Sequence, residues 1–350
     1  MRDKKQTSFR DGIRPYIMVL PSIAVFLFCY IYPIFYMIYL SLFKWDFISP
    51  TKDFVGLKNF ITLFSKAEFH QVLSNTLIYT FCSVGIAIVL ALVLAVWLNH
   101  PGKMFAFVQG AIFSPHIISL VSVSFIWMWM MEPSYGLLNW LLGLFGVKPS
   151  MWLQRPDTAL MSLVLVSVWK LIGYDTLILI SALQSIPKSI YEAALLDKAP
   201  GIVTFFKIIL PMISPNLFFL VVMNTLTSFQ AFETVSIMTE GGPMNSTNTL
   251  VYYIYQNGFR FYKMGYASAA GVVLLVLVGI MTIIYFKFIK YKILFLKISI
   301  LQTVQSITPH ICSITMRHFR KIIENLLLWK SRNDIINSLV LYLISFWLVQ

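Results

Sequence analysis

Six long apolar segments constrain this chain more than any other feature of its sequence. Each contains roughly 20 or more residues with few charges, the length that crosses a hydrocarbon core of about 30 Å as an α-helix. The segments cover residues 16–40, 75–98, 106–131, 159–183, 215–237 and 265–287. Lipid gives the backbone no hydrogen-bond partner, and the runs are too continuous for the alternating pattern of a barrel strand. The sequence therefore predicts an all-α integral membrane protein, a bundle of six transmembrane helices.

The composition argues against a soluble protein. Of the 350 residues, 58% are hydrophobic and 12% are charged, against about a quarter charged in an ordinary soluble domain. The net charge of +13 would suit nucleic acid only on a solvated basic face, and no segment offers one. We expect membrane lipid as the surroundings and no nucleic-acid partner. Because Cys29, Cys82 and Cys312 are isolated in the sequence, neither a disulfide framework nor a metal motif is predicted.

Basic residues flank the six-span core and predict its orientation. They are Arg2, Lys4, Lys5, Arg10 and Arg14 before the first span, and Lys287, Lys290 and Lys292 after the sixth. Since cytoplasmic segments carry the excess of lysine and arginine, both ends of the core are predicted to be cytoplasmic. The chain then divides into a cytoplasmic tail at 1–15, a six-helix domain at 16–292 and an atypical extension at 293–350.

The extension leaves two interpretations open. Its segment from Arg317 to Arg332 is basic, and the apolar run from Ile335 to Val349 is short for a span. The extension is either aberrant, running into a neighbouring reading frame that starts at Met316, or a genuine terminal helix that lies on the membrane surface.

Residues 184–214 form the one substantial cytoplasmic loop in this arrangement. An amphipathic stretch from Ser189 to Asp197 is followed by Lys198-Ala199-Pro200-Gly201 and then by a second periodic stretch that ends at Pro211. Two helical periods separated by Pro and Gly predict a helix, a turn and a helix. Such an element favours docking to a partner over a simple connection.

The sequence contains no candidate catalytic or metal site. It has no G-x-x-x-x-G-K-[ST] stretch that could hold ATP, and it has no paired carboxylates or nucleophile with a plausible base. Its histidines lie in different segments: His70, His100, His116, His310 and His318. We therefore predict that the chain is not an enzyme.

Polar residues within the spans are the candidates for a solute path, because they are costly in lipid unless they face a cavity or a partner. The candidates are Trp169, Tyr174, Asn224, Ser228, Gln230 and Glu233. Amide, hydroxyl and aromatic groups of this kind suit sugar recognition. Hydrogen bonding between helices explains the same pattern, so both interpretations stay open. Lys170 and Asp175 have a further possible position near the outer interface, where long side chains extend to the headgroups.

Several separated motifs resemble one family. The cytoplasmic stretch Tyr191-Glu192-Ala193-Ala194, Asp197-Lys198-Ala199 and Ile208-Ile209-Leu210-Pro211 is similar to the EAA loop of the permease subunits of binding-protein-dependent ABC importers. Further stretches look like the carbohydrate group, which includes the maltose permease: Phe54 to Phe60, Asn75-Thr76, Tyr135 to Asn139, Gly241-Gly242-Pro243 and Gly265 to Ala269. The resemblance covers roughly residues 12–292.

The resemblance implies a fold and a function. It implies the ABC importer permease fold with a cytoplasmic coupling helix, in the inner (plasma) membrane of a prokaryote. The expected partners are a second homologous permease, an ABC ATPase dimer that binds ATP and Mg, and an extracytoplasmic solute-binding protein. No cofactor is expected in this chain, which would form half of the path for a sugar or oligosaccharide. The implied ATPase-coupling residues are Tyr191, Glu192, Ala193, Ala194, Asp197, Lys198, Gly201, Leu210 and Pro211.

Alternatives remain at this stage. The same machinery could import glycerol phosphate or a polyol. An ion-driven secondary transporter would show discontinuous helices and leave the Glu-Ala-Ala loop unexplained, and a scaffold would leave the polar groups unexplained. The chain also departs from the family at Lys198, where glycine is usual. Either the turn shifts toward Gly201, or Lys198 itself takes a strained left-handed conformation.

Overall fold

The structure, a computed structural model, describes the backbone of residues 19–307 and the side chains of residues 19–287. In chain order its helices are α1 (Val19–Ser41), α2 (Lys58–Ser65), α3 (Ala67–Leu98), α4 (Lys103–Ile117), α5 (Leu120–Met130), α6 (Leu137–Leu144), α7 (Pro156–Gln184), α8 (Lys188–Leu196), α9 (Gly201–Met212), α10 (Ser214–Phe229), α11 (Glu233–Met238), α12 (Leu250–Tyr255) and α13 (Met264–Ile307). Two short strands, β1 (Phe43–Lys44) and β2 (Asp53–Phe54), pair antiparallel.

The chain divides into two compact units. The larger, Phe35–Val278, contains both apolar cores and every contact described below. The described part of the smaller unit consists of the start of α1 and the end of α13, and its described side chains, at 19–34 and 279–287, are largely exposed. The predicted tail at 1–15 and the part of the predicted extension beyond Ile307 lie outside the described residues.

Four of the six predicted spans are single helices. They are α1, α3, α7 and the part of α13 up to Lys287, each long and apolar enough to cross a membrane. The second span begins at Ala67 rather than at residue 75, because the polar residues before the apolar run continue the same helix.

Span three, predicted as one helix at 106–131, is broken. Its halves α4 and α5 meet at an angle of 101°. Both halves pack along α7: the backbone of Ile112 touches Gly173, and Trp127 contacts Trp169 with ring centroids 5.5 Å apart. Taken together, the two halves are long and apolar enough for one broken span, and both contact α7.

Span five, predicted as one helix at 215–237, is also interrupted. Helix α10 ends at Phe229, and α11 begins at Glu233 and packs on α5. At its other end α10 meets α9 at 65°. The sixteen residues of α10 extend only about 24 Å. The predicted span therefore includes α11 as well, while the bent pair that is long and apolar enough for a membrane is α9 with α10. Helices α5 and α11, which follow the breaks in spans three and five, therefore contact each other.

Helices α3 and α7 form the centre of the unit. Tyr79 of α3 and Ser167 of α7 are hydrogen-bonded, and Ala87, Ala91 and Ala95 are fully buried. Small side chains allow two helices to approach closely within a membrane. The cores on either side join these helices to α4, α5, α10 and α11.

Candidate functional site

Residues 185–213, here called the coupling loop, have the predicted helix, turn and helix. Helix α8 covers the expected amphipathic stretch, and α9 covers the second one. Pro187 and Pro200 lie immediately before the two helices. Proline is well suited to a helix start, because the amide hydrogen that it lacks would have no partner within the helix.

The turn between α8 and α9 is centred on Lys198, not on Gly201. Lys198 has a φ of 50°. Its amide donates to Leu195 O, and the amide of Ala199 donates to Ala194 O, both at 3.0 Å. These two bonds form a Schellman motif, in which glycine normally occupies the left-handed position. Lys198 therefore takes the strained left-handed conformation. The turn stays at the position where the family usually has glycine.

The predicted coupling residues divide between the core and the surface. Tyr191, Leu210 and Pro211 are half-buried, and burial raises the pKa of the Tyr191 hydroxyl above its ordinary value. Ala194 is buried. The exposed members are Glu192, Ala193, Asp197, Lys198 and Gly201.

Apolar side chains extend the exposed surface of the loop. Leu196 is 83% exposed and Leu195 is 75% exposed, and Ile202 and Phe206 of α9 are also exposed. Together with Glu192 they form a surface of carboxylate and aliphatic groups on the face of the protein where α7 ends and α10 begins.

Four of the predicted path residues are packed between helices. Trp169 contacts Trp127, and Tyr174 stacks on His116 with ring centroids 4.7 Å apart. Asn224 and Ser228 are buried in α10. Their contacts agree with interhelical hydrogen bonding and packing, the second interpretation of the sequence pattern.

Gln230 and Glu233 flank the break in span five. Gln230 is the C-cap that follows α10, and Glu233, whose side chain is exposed, is the first residue of α11. Ala231 lies within the break, and its carbonyl oxygen accepts a hydrogen bond from Thr249 Oγ1 at 3.1 Å. Two of the predicted path residues thus lie beside interrupted backbone, Gln230 half-buried and Glu233 exposed.

Lys170 and Asp175, for which a position near the outer interface was considered, both make contacts within the helix bundle. Asp175 is fully buried and accepts a hydrogen bond of 2.7 Å from Asn224 Nδ2. Lys170 Nζ lies 2.6 Å from Ile118 O, 3.2 Å from Pro115 O and 3.3 Å from His116 O. Lys170 thus donates hydrogen bonds to carbonyls at the break in span three. A sequence signal for this break is Pro115, because proline inside a helix removes an amide donor.

Comparisons with known proteins agree with this architecture. Residues 102–293 match the family described as the binding-protein-dependent transport system inner membrane component. The chain belongs to this family of permeases. The sn-glycerol-3-phosphate transport system permease protein UgpA of Pectobacterium atrosepticum is 34% identical over 81% of this chain and 97% of its own. The trehalose/maltose transport system permease protein MalF of Thermococcus litoralis is 32% identical over 81% of this chain and 96% of its own.

A solved permease has a similar structure. It comes from the crystal structure of a bacterial alginate ABC transporter in complex with an alginate pentasaccharide-bound periplasmic protein, with a TM-score of 0.69 and 25% identity over 81% of this chain and 96% of that chain. As a transport permease the protein is a multi-pass inner-membrane protein and not an enzyme. Its broken helices, which a secondary transporter would also show, here belong to an ABC permease.

Proposed function

We propose that this permease forms half of the translocation path of an ABC importer for a sugar or oligosaccharide, and that a separate ATPase drives it through the coupling loop. The observation that carries the proposal is the exposed surface of that loop. Glu192 offers a carboxylate for an ion pair, while Leu195 and Leu196 offer apolar area that water disfavours. A short amphipathic helix of this kind fits a groove in a partner protein.

The proposed assembly contains a second homologous permease, an ATPase dimer and an extracytoplasmic solute-binding protein. ATP and Mg bind to the ATPase, and this chain needs no cofactor. Both ends of the six-span core face the cytoplasm, as does the coupling loop. Movement of the ATPase dimer then passes through α8 into α7 as a rigid-body displacement.

The cargo is proposed to be a carbohydrate. The names of the trehalose/maltose relative and of the alginate transporter support this class. The name of the UgpA relative supports glycerol phosphate as a second candidate. Within the described spans, Lys170 is the cation beside the breaks, and its N–H groups point at carbonyls. A dianionic phosphate would therefore find little free positive charge there, which favours the sugar.

Charge reversal at Glu192 tests the coupling. The complex with the neighbouring permease and ATPase is purified with the native chain and with Glu192→Lys, and the bound ATPase is quantified. We expect Glu192→Lys to reduce the retained ATPase at least about tenfold, which corresponds to about 1.4 kcal/mol of binding. The matched control is Asp53→Lys, an exposed carboxylate in β2 on the opposite face. Equal retention by Glu192→Lys and the native chain would remove the coupling proposal.

Uptake by vesicles that contain the assembled complex and its binding protein tests the cargo. Labelled maltose and trehalose are compared with labelled sn-glycerol-3-phosphate under the same ATP supply. Uptake of a disaccharide supports the proposal, and uptake of glycerol phosphate alone overturns the sugar assignment while keeping the importer.

A further inference from the structure

We propose that Lys170 is a positioning residue for transport, because its ammonium group holds the break in span three and links that break to the helix that enters the coupling loop. The proposal rests on the proposed importer function. It assigns to a half-buried cation a role that neither the motif pattern nor the solute-path candidates include.

The break creates a need for hydrogen-bond donors. The last four carbonyls of an α-helix have no partner within the helix, and this group includes Pro115 and His116 of α4. Ile118 lies between α4 and α5 and is also outside the helical ladder. In lipid no water is available to serve such carbonyls. They must find donors on a neighbouring helix.

Lys170 provides the number of donors that is needed. An ammonium group has three N–H bonds and no acceptor, and its nitrogen lies 2.6–3.3 Å from three carbonyl oxygens. Three carbonyls match the three N–H bonds of Lys170, so all of its donors bind the backbone of span three. This is why we assign it a positioning role and not a contact with the solute.

The position of Lys170 in α7 supports this role. It lies at the middle of a 29-residue helix, about 21 Å from either end at 1.5 Å per residue. A charged group at such depth is expensive unless it is paired or faces the interior of the bundle. The carbonyls of the break supply that pairing.

Neighbouring residues on the same face of α7 fix the end of α4. Residues three and four apart share a helical face, so Gly173 and Tyr174 lie beside Lys170. A Cβ on Gly173 would come within 2.0 Å of Ile112 O, and the ring of Tyr174 is tilted 14° from the ring of His116. The close approach, the stacked pair and the ammonium group together hold the last turn of α4 against α7, while α5 leaves at 101°.

The connection of α7 gives the contact a consequence for transport. Helix α7 runs into the coupling loop at Ser185, and α5 packs on α11, which follows the break with Gln230 and Glu233. A displacement of the coupling loop therefore reaches the broken spans through Lys170. Without the ammonium group, α7 could move while the break relaxed toward a straighter helix.

The test measures the break directly in the assembled complex. Spin labels are attached through Met104→Cys in α4 and Ile126→Cys in α5, both exposed in the native chain, after Cys29, Cys82 and Cys312 are changed to Ser. A straight helix of 22 residues spans about 33 Å. We expect Lys170→Met to lengthen or broaden the distance distribution by on the order of 10 Å, and Lys170→Arg, which keeps the donors, to retain the native distribution.

A functional readout accompanies the distance measurement. With Lys170→Met we expect binding-protein-stimulated ATPase activity to fall about tenfold, an effect of about 1.4 kcal/mol, while the amount of assembled complex stays the same. Lys148→Met, an exposed lysine in the loop before α7, is the matched control. If Lys170→Met does not assemble, the same measurements are made on Lys170→Gln, for which we expect a smaller change in the same direction.

A native distance distribution in whichever of these variants assembles would overturn the role of Lys170. Native stimulation of the ATPase together with a changed distribution would overturn its link to transport. Failure of the importer proposal itself has a different result. In that case the native chain retains no ATPase, which the comparison with Glu192→Lys already shows.

Discussion

The two faces of this permease are built in different ways. On the face opposite the coupling loop, the loops at 42–66, 131–155 and 239–263 are held by side chains that bind backbone. Asn139 alone makes four hydrogen bonds, to Pro133 O, to Ser150 O and N, and to the indole of Trp152. In the coupling loop, by contrast, the side-chain hydrogen bonds are short-range, from Ser185 to Ala182 O and from Thr204 to Pro200 O.

Hydrogen bonds between residues far apart in the sequence also distinguish the two faces. Asn75 Nδ2 donates to Asn245 O at 2.7 Å, and Thr76 Oγ1 accepts from the amide of Leu250 at 2.9 Å, across more than 160 residues of sequence. Asn59 Nδ2 binds Ser41 O and Phe43 O. The opposite face is thus organised by its own chain, whereas the coupling loop leaves its apolar side chains for a partner. Substitutions should therefore affect stability on one face and assembly on the other.

The largest expected difference comes from two glycines near helix starts. A Cβ on Gly265 would lie 1.8 Å from Phe43 O, while nothing lies within 4 Å of a Cβ on Gly201. Gly265→Ala should lower the free energy of unfolding by about 3 kcal/mol because rigid backbone must move. Gly201→Ala should leave it unchanged or raise it by up to about 1 kcal/mol. Thermal unfolding of the purified complex measures both, and equal melting temperatures would contradict the asymmetry.

The next effect is at Asn139. Asn139→Ala removes four hydrogen bonds and leaves partly buried partners without a donor or acceptor, so we expect a loss of about 2 kcal/mol in the free energy of unfolding. Asn99→Ala on the coupling-loop face removes a single bond, to Gln184, and should cost less than about 1 kcal/mol. A comparable loss for both variants in thermal unfolding would mean that the number of bonds is not the cause.

Leu196 gives the reverse result, a loss of assembly without a loss of stability. Leu196→Ser should leave the melting temperature unchanged, because the side chain is 83% exposed. Retention of the ATPase should fall about tenfold as buried apolar area is lost at the interface, equivalent to about 1.4 kcal/mol. The control is Ile48→Ser, 75% exposed on the opposite face, which should retain the ATPase fully. Loss of retention in both variants would indicate a general defect.

The smallest effect concerns the turn of the coupling loop. Lys198→Gly should stabilise the loop by about 1 kcal/mol, because glycine occupies the left-handed region without the Cβ clash. Lys198→Ala keeps the Cβ and removes the rest of the side chain with its charge, so it should not stabilise. Hydrogen exchange of the loop amides compares the two variants. Equal protection in both would assign the strain to the lysine side chain beyond Cβ rather than to the backbone.

The sequence predicted what depends on local patterns. Apolar length predicted four spans as single helices, and periodicity with Pro and Gly placed α8 and α9 but left the turn open between Lys198 and Gly201. The breaks in spans three and five were missed because hydropathy sums side chains and does not register backbone geometry. Pro115 marks the first break, but the second, at residues 230–232, contains neither Gly nor Pro. The function of Lys170 depends on carbonyls more than 50 residues away, which no local pattern reveals.

The break in span three also has a consequence for biogenesis. Helices α4 and α5 have 15 and 11 residues, about 22 Å and 16 Å long, and neither alone crosses a core of about 30 Å. The donor for their junction is Lys170, which emerges from the ribosome about fifty residues later. Span three therefore reaches its final, broken form only after span four has entered the bilayer, and until then we expect the straighter helix that the absence of the ammonium group favours.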